Sequence, residues 1–232
     1  MHILLTRPIE DCSNLIVRFK ELGHTVSHLP VIKIKKLEHN QPEFNDYTAF
    51  IFTSTNSIKN LNLENINKNI KCFCVGTSTE KFARKVGFQN VISSDGNVRA
   101  LKELILQNHD KKDGKLLYIS GEFISYNLDK DILKEGYDIS RLINYSVDHN
   151  DEIKAEIIEE LKKNIPDIVY IYSENSAKSF LNIVKNYHLI DSWMNTNLMC
   201  IGEKTSSVLN ELKWKKIFLF SPGEEEFLLY RV

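Results

Sequence analysis

The sequence of 232 residues has almost no net charge and no long apolar run. Its 30 basic and 31 acidic residues leave a formal charge of −1, which gives no general attraction to nucleic acid or to an anionic membrane surface. No apolar stretch approaches the roughly 20 residues that a membrane-spanning helix needs. The sequence begins directly with a predicted strand, without a basic leader or a small-residue cleavage site. We therefore expect a cytoplasmic protein whose partners include neither a membrane nor a nucleic acid.

The cysteines and histidines lack the spacing of a redox or metal site. No cysteine pair forms a CxxC motif: Cys72 and Cys74 alternate along a predicted strand, while Cys12 and Cys200 are isolated. Cysteines placed in this way usually pack in a core, so we expect free thiols and a reducing compartment such as the cytosol. The seven histidines are scattered, without a third ligand at metal spacing, and we expect no metal.

Signatures of nucleotide binding are also absent. Gly76 and Gly202 each follow a predicted strand, but neither belongs to a GxGxxG or GxxxxGK[ST] motif. Dinucleotide and P-loop binding are therefore disfavoured. Each glycine either allows a tight turn from strand to helix, with Thr79 or Thr205 as the helix cap, or exposes N–H groups that bind an anion or a carboxylate.

Ser54 and Ser173 follow predicted strands, but neither lies in the GxSxG motif of activated serine nucleophiles. Each of them therefore either caps a helix or contacts a ligand. Asp11 or Ser13 is the predicted cap of the helix near the amino end of the chain. We predict a protein without a cofactor, whose ligand is bound mostly by hydrogen bonds.

What the chain does have is an internal repeat. Three strand–turn–helix patterns occur twice, about 120 residues apart. The second of them carries the same Ser-x-Asn-Ser core in both copies. The paired segments are 3–8 with 116–121, 49–57 with 168–177, and 72–79 with 198–205. The chain therefore consists of two copies of one α/β half.

Strands alternate with predicted helices of about 10 to 15 residues, a pattern typical of α/β proteins. We predict two similar domains, each with a doubly wound parallel sheet. Ligands of such sheets bind beyond the carboxyl ends of the strands, near helix N-termini. The residues that fall there are 6–7, 53–54, 76–79, 120–121, 173–176 and 202–205.

Two segments at matching positions of the repeat, 31–37 and 141–147, alternate between apolar and polar residues. This alternation predicts two half-exposed strands, which we interpret as a linker ribbon between the halves. Near the other end of the chain, Ser221 followed by Pro222 and acidic residues resembles a helix start.

Taken together, these motifs resemble the uroporphyrinogen-III synthase family. The similarity extends essentially from end to end, and it is carried by the order and spacing of motifs that are individually weak. The segments that carry it are 4–8, 22–30, 52–58, 75–79, 133–145, 172–177 and 201–205.

The resemblance implies two α/β domains that are joined by a two-stranded β ladder, with the active site in the cleft between them. The first domain would be discontinuous and consist of residues 1–34 plus 148–232, and the second of residues 38–140. Residues 31–37 and 141–147 would form the ladder. The sequence by itself equally allows a simple tandem of two domains.

The resemblance also implies a reaction. Hydroxymethylbilane, a linear tetrapyrrole with eight carboxylates, would lose water and close to uroporphyrinogen III with ring D inverted, as a step of haem biosynthesis. Loss of hydroxide gives an azafulvenium cation, and ring D then closes through a spiro intermediate. Without an enzyme the bilane closes to the un-inverted isomer I. Catalysis by a cofactor-independent lyase would therefore consist largely of positioning, which supplies about 7–11 kcal/mol at best.

Residue by residue, Tyr145 matches the tyrosine that faces the cleft from the family's ladder strand. The resemblance implies that it donates a proton to the leaving hydroxyl group, since a phenol with a pKa near 10 is protonated at neutral pH. The alternative is a tyrosine that only packs. The implied substrate-binding residues are Thr53, Ser54, Gly76, Thr79, Ser173, Ser176, Gly202 and Thr205, with Asn56 and Asn175 added on position alone. The basic residues that could neutralise substrate carboxylates are Arg7, Lys33, Lys35, Lys36 and Arg99.

The implied partner is hydroxymethylbilane, with direct delivery by hydroxymethylbilane synthase as a further hypothesis, and nothing in the sequence demands more than a monomer. A competing hypothesis is a two-domain sensor or binding protein, which also uses twin α/β halves around a cleft. No DNA-binding segment or secretion signal accompanies it here. The two hypotheses differ in whether the purified protein consumes a tetrapyrrole precursor or only retains a ligand.

Overall fold

The computed structural model describes residues 1–95, 97–150, 153–221, 223–226 and 229–230. Strands and helices alternate along most of this part of the chain. In chain order the elements are β1 (His2–Leu5), α1 (Ile9–Glu21), β2 (Thr25–His28), β3 (Ile32–Lys36), β4 (Tyr47–Phe52), α2 (Thr55–Lys59), β5 (Lys71–Val75), α3 (Gly76–Lys85), β6 (Val91–Ser94), α4 (Val98–Asn108), β7 (Lys115–Gly121), α5 (Leu128–Lys134), β8 (Ile139–His149), α6 (Ala155–Lys163), β9 (Ile168–Ile171), α7 (Glu174–Asn186), β10 (Asn197–Cys200), α8 (Gly202–Val208) and β11 (Lys216–Leu219).

The chain forms two compact units. Unit 1 consists of residues 1–33 and 148–232, and unit 2 of residues 34–147. The sheet of unit 1 has the strand order β11-β10-β9-β1-β2, and its neighbouring strands pair in parallel. Because Ile3 of β1 pairs with Ile168 of β9, the first strand of the chain lies beside a strand from its second half.

The sheet of unit 2 has the strand order β3-β8-β7-β4-β5-β6, and the strands from β8 to β6 pair in parallel. Apart from the extra edge strand β3, the order β8-β7-β4-β5-β6 corresponds strand for strand to β2-β1-β9-β10-β11 of unit 1. The segments that repeat in the sequence thus occupy equivalent places in the two sheets.

Each sheet is buried on both faces, which explains the continuous apolar runs of the central strands. In unit 1, Val169 of β9 packs with Phe180 and Trp193 on one face, while Tyr170 packs with Phe19 on the other. Unit 2 has the same two layers of core, one on each side of β4. Within the described residues, no helix has the length and apolar character that crossing a membrane requires.

All four cysteines are buried free thiols, as the sequence predicted. Burial raises the pKa of Cys12 and Cys200 to about 11 and that of Cys74 to about 12, and it raises the pKa of Cys72 as well. Because the thiolate is the reactive form, we expect no fast reaction of the folded protein with Ellman's reagent at pH 8, and reaction of all four thiols after unfolding in guanidinium chloride. A thiol that reacts at once in the folded protein would contradict this burial.

The predicted helix caps are partly wrong. Helix α1 begins directly after Pro8 without a side-chain cap, so neither Asp11 nor Ser13 has that role. Thr79 and Thr205 lie inside α3 and α8, because these helices begin at the glycine itself. Gly76 and Gly202 have φ values of +74° and +75°, a left-handed conformation that glycine adopts without strain.

The predicted helix start at Ser221 is also not observed. Residues 223–226 form a turn, in which the Glu224 amide donates to the Ser221 carbonyl oxygen at 3.0 Å. The Ser221 amide in turn donates to a carboxylate oxygen of Glu224 at 2.8 Å, but residues 223–226 do not continue as a helix. Pro222 lies outside the described residues.

The two predicted half-exposed strands differ from each other. Strand β3 lies at the edge of the unit 2 sheet beside β8, and its lysines are exposed, as expected. Strand β8 is partly exposed at Arg141–Leu142, but its residues 144–146 are buried. The prediction of a half-exposed strand was therefore wrong for these three residues, of which Asn144 bonds the Ser57 carbonyl oxygen of helix α2.

Candidate functional site

The site residues predicted in unit 2 lie along the carboxyl edge of its sheet. Thr53 and Ser54 follow β4, and Gly76 and Thr79 lie at the start of the helix that follows β5. Tyr145 of β8 pairs with the last residue of β7. Because parallel strands end at the same edge, these residues are brought to one side of the unit.

An irregularity in β8 determines the position of Tyr145. The register between β7 and β8 passes from Ser120 opposite Ile143 to Gly121 opposite Tyr145, so Asn144 is an extra residue in β8. Such a bulge changes the direction of the side chains that follow it. The Tyr145 ring approaches Gly121 so closely that a Cβ atom at Gly121 would lie 2.7 Å from Tyr145 Cζ.

The hydroxyl group of Tyr145 is held inside the protein. It hydrogen-bonds the Ser54 side chain and the Gly121 backbone, and the residue is 8% exposed. Burial raises the pKa of Tyr145 above its usual value, and the two hydrogen bonds lower it by less. The phenol is therefore protonated at neutral pH.

Ser54 has the helix-capping role, which is one of the two alternatives that the sequence left open, and it also contacts Tyr145. Its Oγ caps helix α2 by accepting from the Asn56 amide at 3.2 Å. The same side chain also touches the hydroxyl group of Tyr145. Ser57, one turn later, donates from Oγ to the Ser54 carbonyl oxygen at 2.6 Å, which fixes the turn.

A second tyrosine and an arginine lie beside this group, and the sequence analysis missed both. The Tyr118 hydroxyl group is 3.2 Å from Thr53 Oγ1, and burial raises its pKa. Arg141 donates to Ser120 Oγ at 2.8 Å and to the Gly121 carbonyl oxygen at 2.7 Å, which fixes the end of β7. The internal repeat does not point to Tyr118, since the equivalent residue in the other copy is an apolar leucine.

A small pocket of about 140 Å³ lies beside the Tyr145 hydroxyl group. It is lined by Thr53, Ser54, Tyr118, Gly121 and Tyr145, together with residues 123–126 of the loop after β7. A larger pocket of about 390 Å³ lies near the amino ends of β4 and β5, where Tyr47 and Lys71 contribute to its lining. That pocket contains none of the predicted site residues, whereas Thr53, Ser54 and Tyr145 line the smaller one.

Unit 1 presents a similar carboxyl edge. Arg7 follows β1, and Ser173 follows β9 and caps helix α7 by accepting from the Ser176 amide at 3.1 Å. The two serine hydroxyls are 2.9 Å apart. The Arg7 guanidinium lies over the Tyr172 ring at 4.0 Å from its centroid, so this arginine is held in place by a cation–π contact.

The remaining predicted residues of unit 1 lie at the same edge with different exposure. Asn175 and Gly202 are exposed, whereas Thr205 is buried in the first turn of α8. In unit 2, Asn56 is half-buried and Thr79 is buried in the first turn of α3. The two threonines are therefore largely removed from solvent.

The predicted basic residues lie on different elements, and Arg99 is exposed like the lysines. Lys33, Lys35 and Lys36 are exposed on β3. Arg99, in the first turn of α4, lies 5.9 Å from the ring centroid of Tyr126, a residue that lines the small pocket. Among the residues that the structure describes, no cluster of His, Cys, Asp and Glu side chains could hold a metal ion.

Comparisons with known proteins bear on the family and the fold of the chain. The sequence matches the family model HEM4, described as Uroporphyrinogen-III synthase HemD, over residues 13–221. No curated protein sequence matches the chain. A crystal structure of uroporphyrinogen-III synthetase from Helicobacter pylori aligns with a TM-score of 0.66 at 18% identity, over 100% of this chain and 99% of that chain. A crystal structure of a mutant uroporphyrinogen III synthase from Thermus thermophilus aligns with a TM-score of 0.57 at 15% identity, over 100% and 97% of the two chains. At these identities the two structures confirm the α/β fold and carry no more than the fold.

Proposed function

Because the chain belongs to the uroporphyrinogen-III synthase family, which serves haem biosynthesis, we propose that it closes hydroxymethylbilane to uroporphyrinogen III with Tyr145 as the proton donor. The single observation that carries this role is the placement of the Tyr145 hydroxyl group, which lines a pocket while being fixed by Ser54 and Gly121. The reaction needs an acid, because hydroxide is a poor leaving group until it receives a proton.

The hydrogen bonds of Tyr145 leave its proton available. Both bonds lower the pKa of the phenol by less than burial raises it. Ser54 Oγ accepts from the Asn56 amide and can give its own proton to Tyr145. A Tyr145 oxygen that accepts from Ser54 keeps its own O–H proton for a ligand in the pocket.

Tyr145 can return to its starting state without a cofactor. It gives its proton to the departing hydroxide, and water is formed. Ring closure later removes a proton from a pyrrole carbon of ring D, and the phenolate can accept that proton. The sum is loss of one water, so one residue suffices for both transfers.

The polar edge of each unit suits a ligand with many carboxylates. In unit 2 this edge offers Thr53, Asn56 and the start of α3 at Gly76, and in unit 1 it offers Arg7 and the residues at 173–176. We assign these residues, with Thr79, Gly202 and Thr205, to substrate binding. Helix N-termini and hydroxyl groups bind carboxylates without strong charge. The 140 Å³ pocket has room for only part of a tetrapyrrole, and Phe123 at its lining is 72% exposed and can face a pyrrole ring.

We further propose that the units are two domains with the boundaries given by the resemblance, 1–34 plus 148–232 and 38–140, joined by a ladder of 31–37 and 141–147. The chain passes from one unit to the other within β3 and again within β8, which supports the ladder. We also propose a monomer in the cytosol that receives its substrate from hydroxymethylbilane synthase.

The product isomer tests the function directly. Hydroxymethylbilane is generated in place by its synthase, this protein is added, and the oxidised porphyrins are separated by chromatography. We expect mostly isomer III. Isomer I at the spontaneous rate, from protein that is folded by circular dichroism, would favour the binding or sensor protein instead.

The pH dependence of turnover gives a second test. A general acid acts only in its protonated form, and the pKa of Tyr145 is raised. We therefore expect kcat to stay constant from neutral pH to about pH 10, the usual pKa of tyrosine, and to fall only above it. Initial rates across this range check the prediction, and a fall of kcat between pH 7 and pH 9 would contradict it.

A further inference from the structure

Asn144, the residue before Tyr145, is fully buried and is fixed on two sides. Its Nδ2 donates to the Ser57 carbonyl oxygen of helix α2 at 2.7 Å. Its own carbonyl oxygen accepts from the Leu37 amide at 3.0 Å. The side chain and the main chain of this residue are therefore both held within unit 2.

The contacts of Asn144 and Tyr145 are incompatible with a regular strand. Consecutive residues of a strand point to opposite faces of the sheet. Yet Asn144 reaches Ser57 and Tyr145 reaches Ser54, and both partners belong to the start of α2. The extra residue in β8 removes this conflict, since a bulge turns two neighbouring side chains toward one face.

We propose that Asn144 is a positioning residue for Tyr145. Its bond to Ser57 keeps the bulge of β8 in place, and the bulge brings the Tyr145 hydroxyl group to Ser54 and Gly121. Ser57 connects the two contacts, because its hydroxyl group donates to the Ser54 carbonyl oxygen at 2.6 Å. The proposal rests on the proposed function, in which Tyr145 is the acid.

Asn150 of unit 1 provides a matched control. It is 6% exposed, and its Nδ2 donates to the Pro30 carbonyl oxygen at 2.6 Å. Asn144→Ala and Asn150→Ala each remove one buried amide donor and leave one carbonyl oxygen without it. Both variants should therefore lose a similar amount of stability in urea unfolding.

Only Asn144→Ala should change the chemistry. A reacting group misplaced by about 1 Å costs about 10²-fold, so we expect kcat to fall roughly 10- to 100-fold with KM within about threefold of the wild type. The pKa of Tyr145, followed by NMR on ¹³Cζ-labelled tyrosine, should move down toward its usual value, because a released ring gains contact with water. Asn150→Ala should change neither quantity.

A double variant tests whether Asn144 acts through Tyr145. In a Tyr145→Phe background, Asn144→Ala should lower the residual rate no further than Asn150→Ala does. A further loss in that background, or a wild-type kcat and an unmoved pKa in Asn144→Ala, would overturn the proposal. A shifted pKa together with full activity of Tyr145→Phe would uphold the positioning and overturn the acid role of Tyr145 instead.

Asn144→Asp covers the case that the alanine variant does not fold. Its side chain keeps the size of asparagine and can donate to the Ser57 carbonyl oxygen only while it is protonated. We expect kcat to be lowered at neutral pH, where this carboxyl group is ionised, and to recover toward the wild-type value at acid pH, where it can donate again. A kcat equal to that of the wild type at neutral pH would overturn the proposal.

Discussion

Tyr145→Phe is expected to lose most of the activity while the protein stays folded. The substitution removes only the hydroxyl group, and the ring keeps its contact with Gly121. General acid catalysis contributes about 10²–10⁴-fold, so kcat should fall by about 10²-fold or more, with KM changed little. Initial rates of isomer III formation, measured with purified variant and wild-type protein, check the prediction.

Tyr137→Phe is the matched control for this variant. Tyr137 is 7% exposed, against 8% for Tyr145, and it belongs to the same unit. Its ring lies near His109 and Lys111, and it does not line the small pocket. We expect Tyr137→Phe to keep wild-type kcat. Near-wild-type turnover of Tyr145→Phe would remove this residue as the acid.

The product ratio of Tyr145→Phe separates chemistry from binding. If the variant still binds the bilane, isomer III should form slowly and the spontaneous formation of isomer I should be suppressed in proportion to the protein added. If binding is lost as well, isomer I should form at the rate seen without protein. The first outcome is expected, because the other substrate-binding residues are unchanged.

The layers of the fold could be predicted from the sequence, because they depend on local patterns. Residues 49–52 and 168–171 are continuous apolar runs, and a strand covered on both faces is what such a run predicts. Strand order depends on pairing between distant segments. That β1 pairs with β9 could not be read from any local pattern, and the residues alone left a tandem arrangement open.

The candidate site could be predicted only in outline. Ser54 and Ser173 cap their helices, which was one of the two predicted alternatives. This role could be predicted because a serine that follows a strand is a local signal for the start of a helix. Thr79 and Thr205 do not cap their helices, because α3 and α8 already begin at Gly76 and Gly202. The sequence does not specify the left-handed conformation that these glycines adopt.

The surroundings of Tyr145 depend on a contact that no single segment encodes. The alternation of apolar and polar residues over 141–147 predicts that every second side chain points to the same face of the sheet. The extra residue at position 144 breaks that rule. The bulge exists only relative to β7, so it is a property of two strands and of α2 together. For the same reason Gly121 looks like any glycine at a strand end until the ring of Tyr145 is placed against it.

Gly121→Ala is expected to remove most of the activity by displacing Tyr145. The new methyl group would lie 2.7 Å from Tyr145 Cζ and 2.8 Å from Cε2, well inside van der Waals contact. Gly121 does not have a positive φ, so alanine itself is not strained there. The ring is the end of a side chain and should move. We expect kcat to fall by about 10²-fold and the free energy of unfolding to fall by about 1–3 kcal/mol from overpacking.

A Tyr145→Ala background reverses the sign of the stability effect. Without the ring there is no clash, and glycine to alanine at a permissive position stabilises by about 0.4–1 kcal/mol, because the unfolded chain loses freedom. Gly121→Ala should therefore lower the free energy of unfolding in the wild type and raise it in Tyr145→Ala, as measured by urea unfolding with unchanged m-values. An equal loss in both backgrounds would show that the methyl group meets atoms other than the ring, and the packing of Tyr145 would no longer explain why a glycine ends β7.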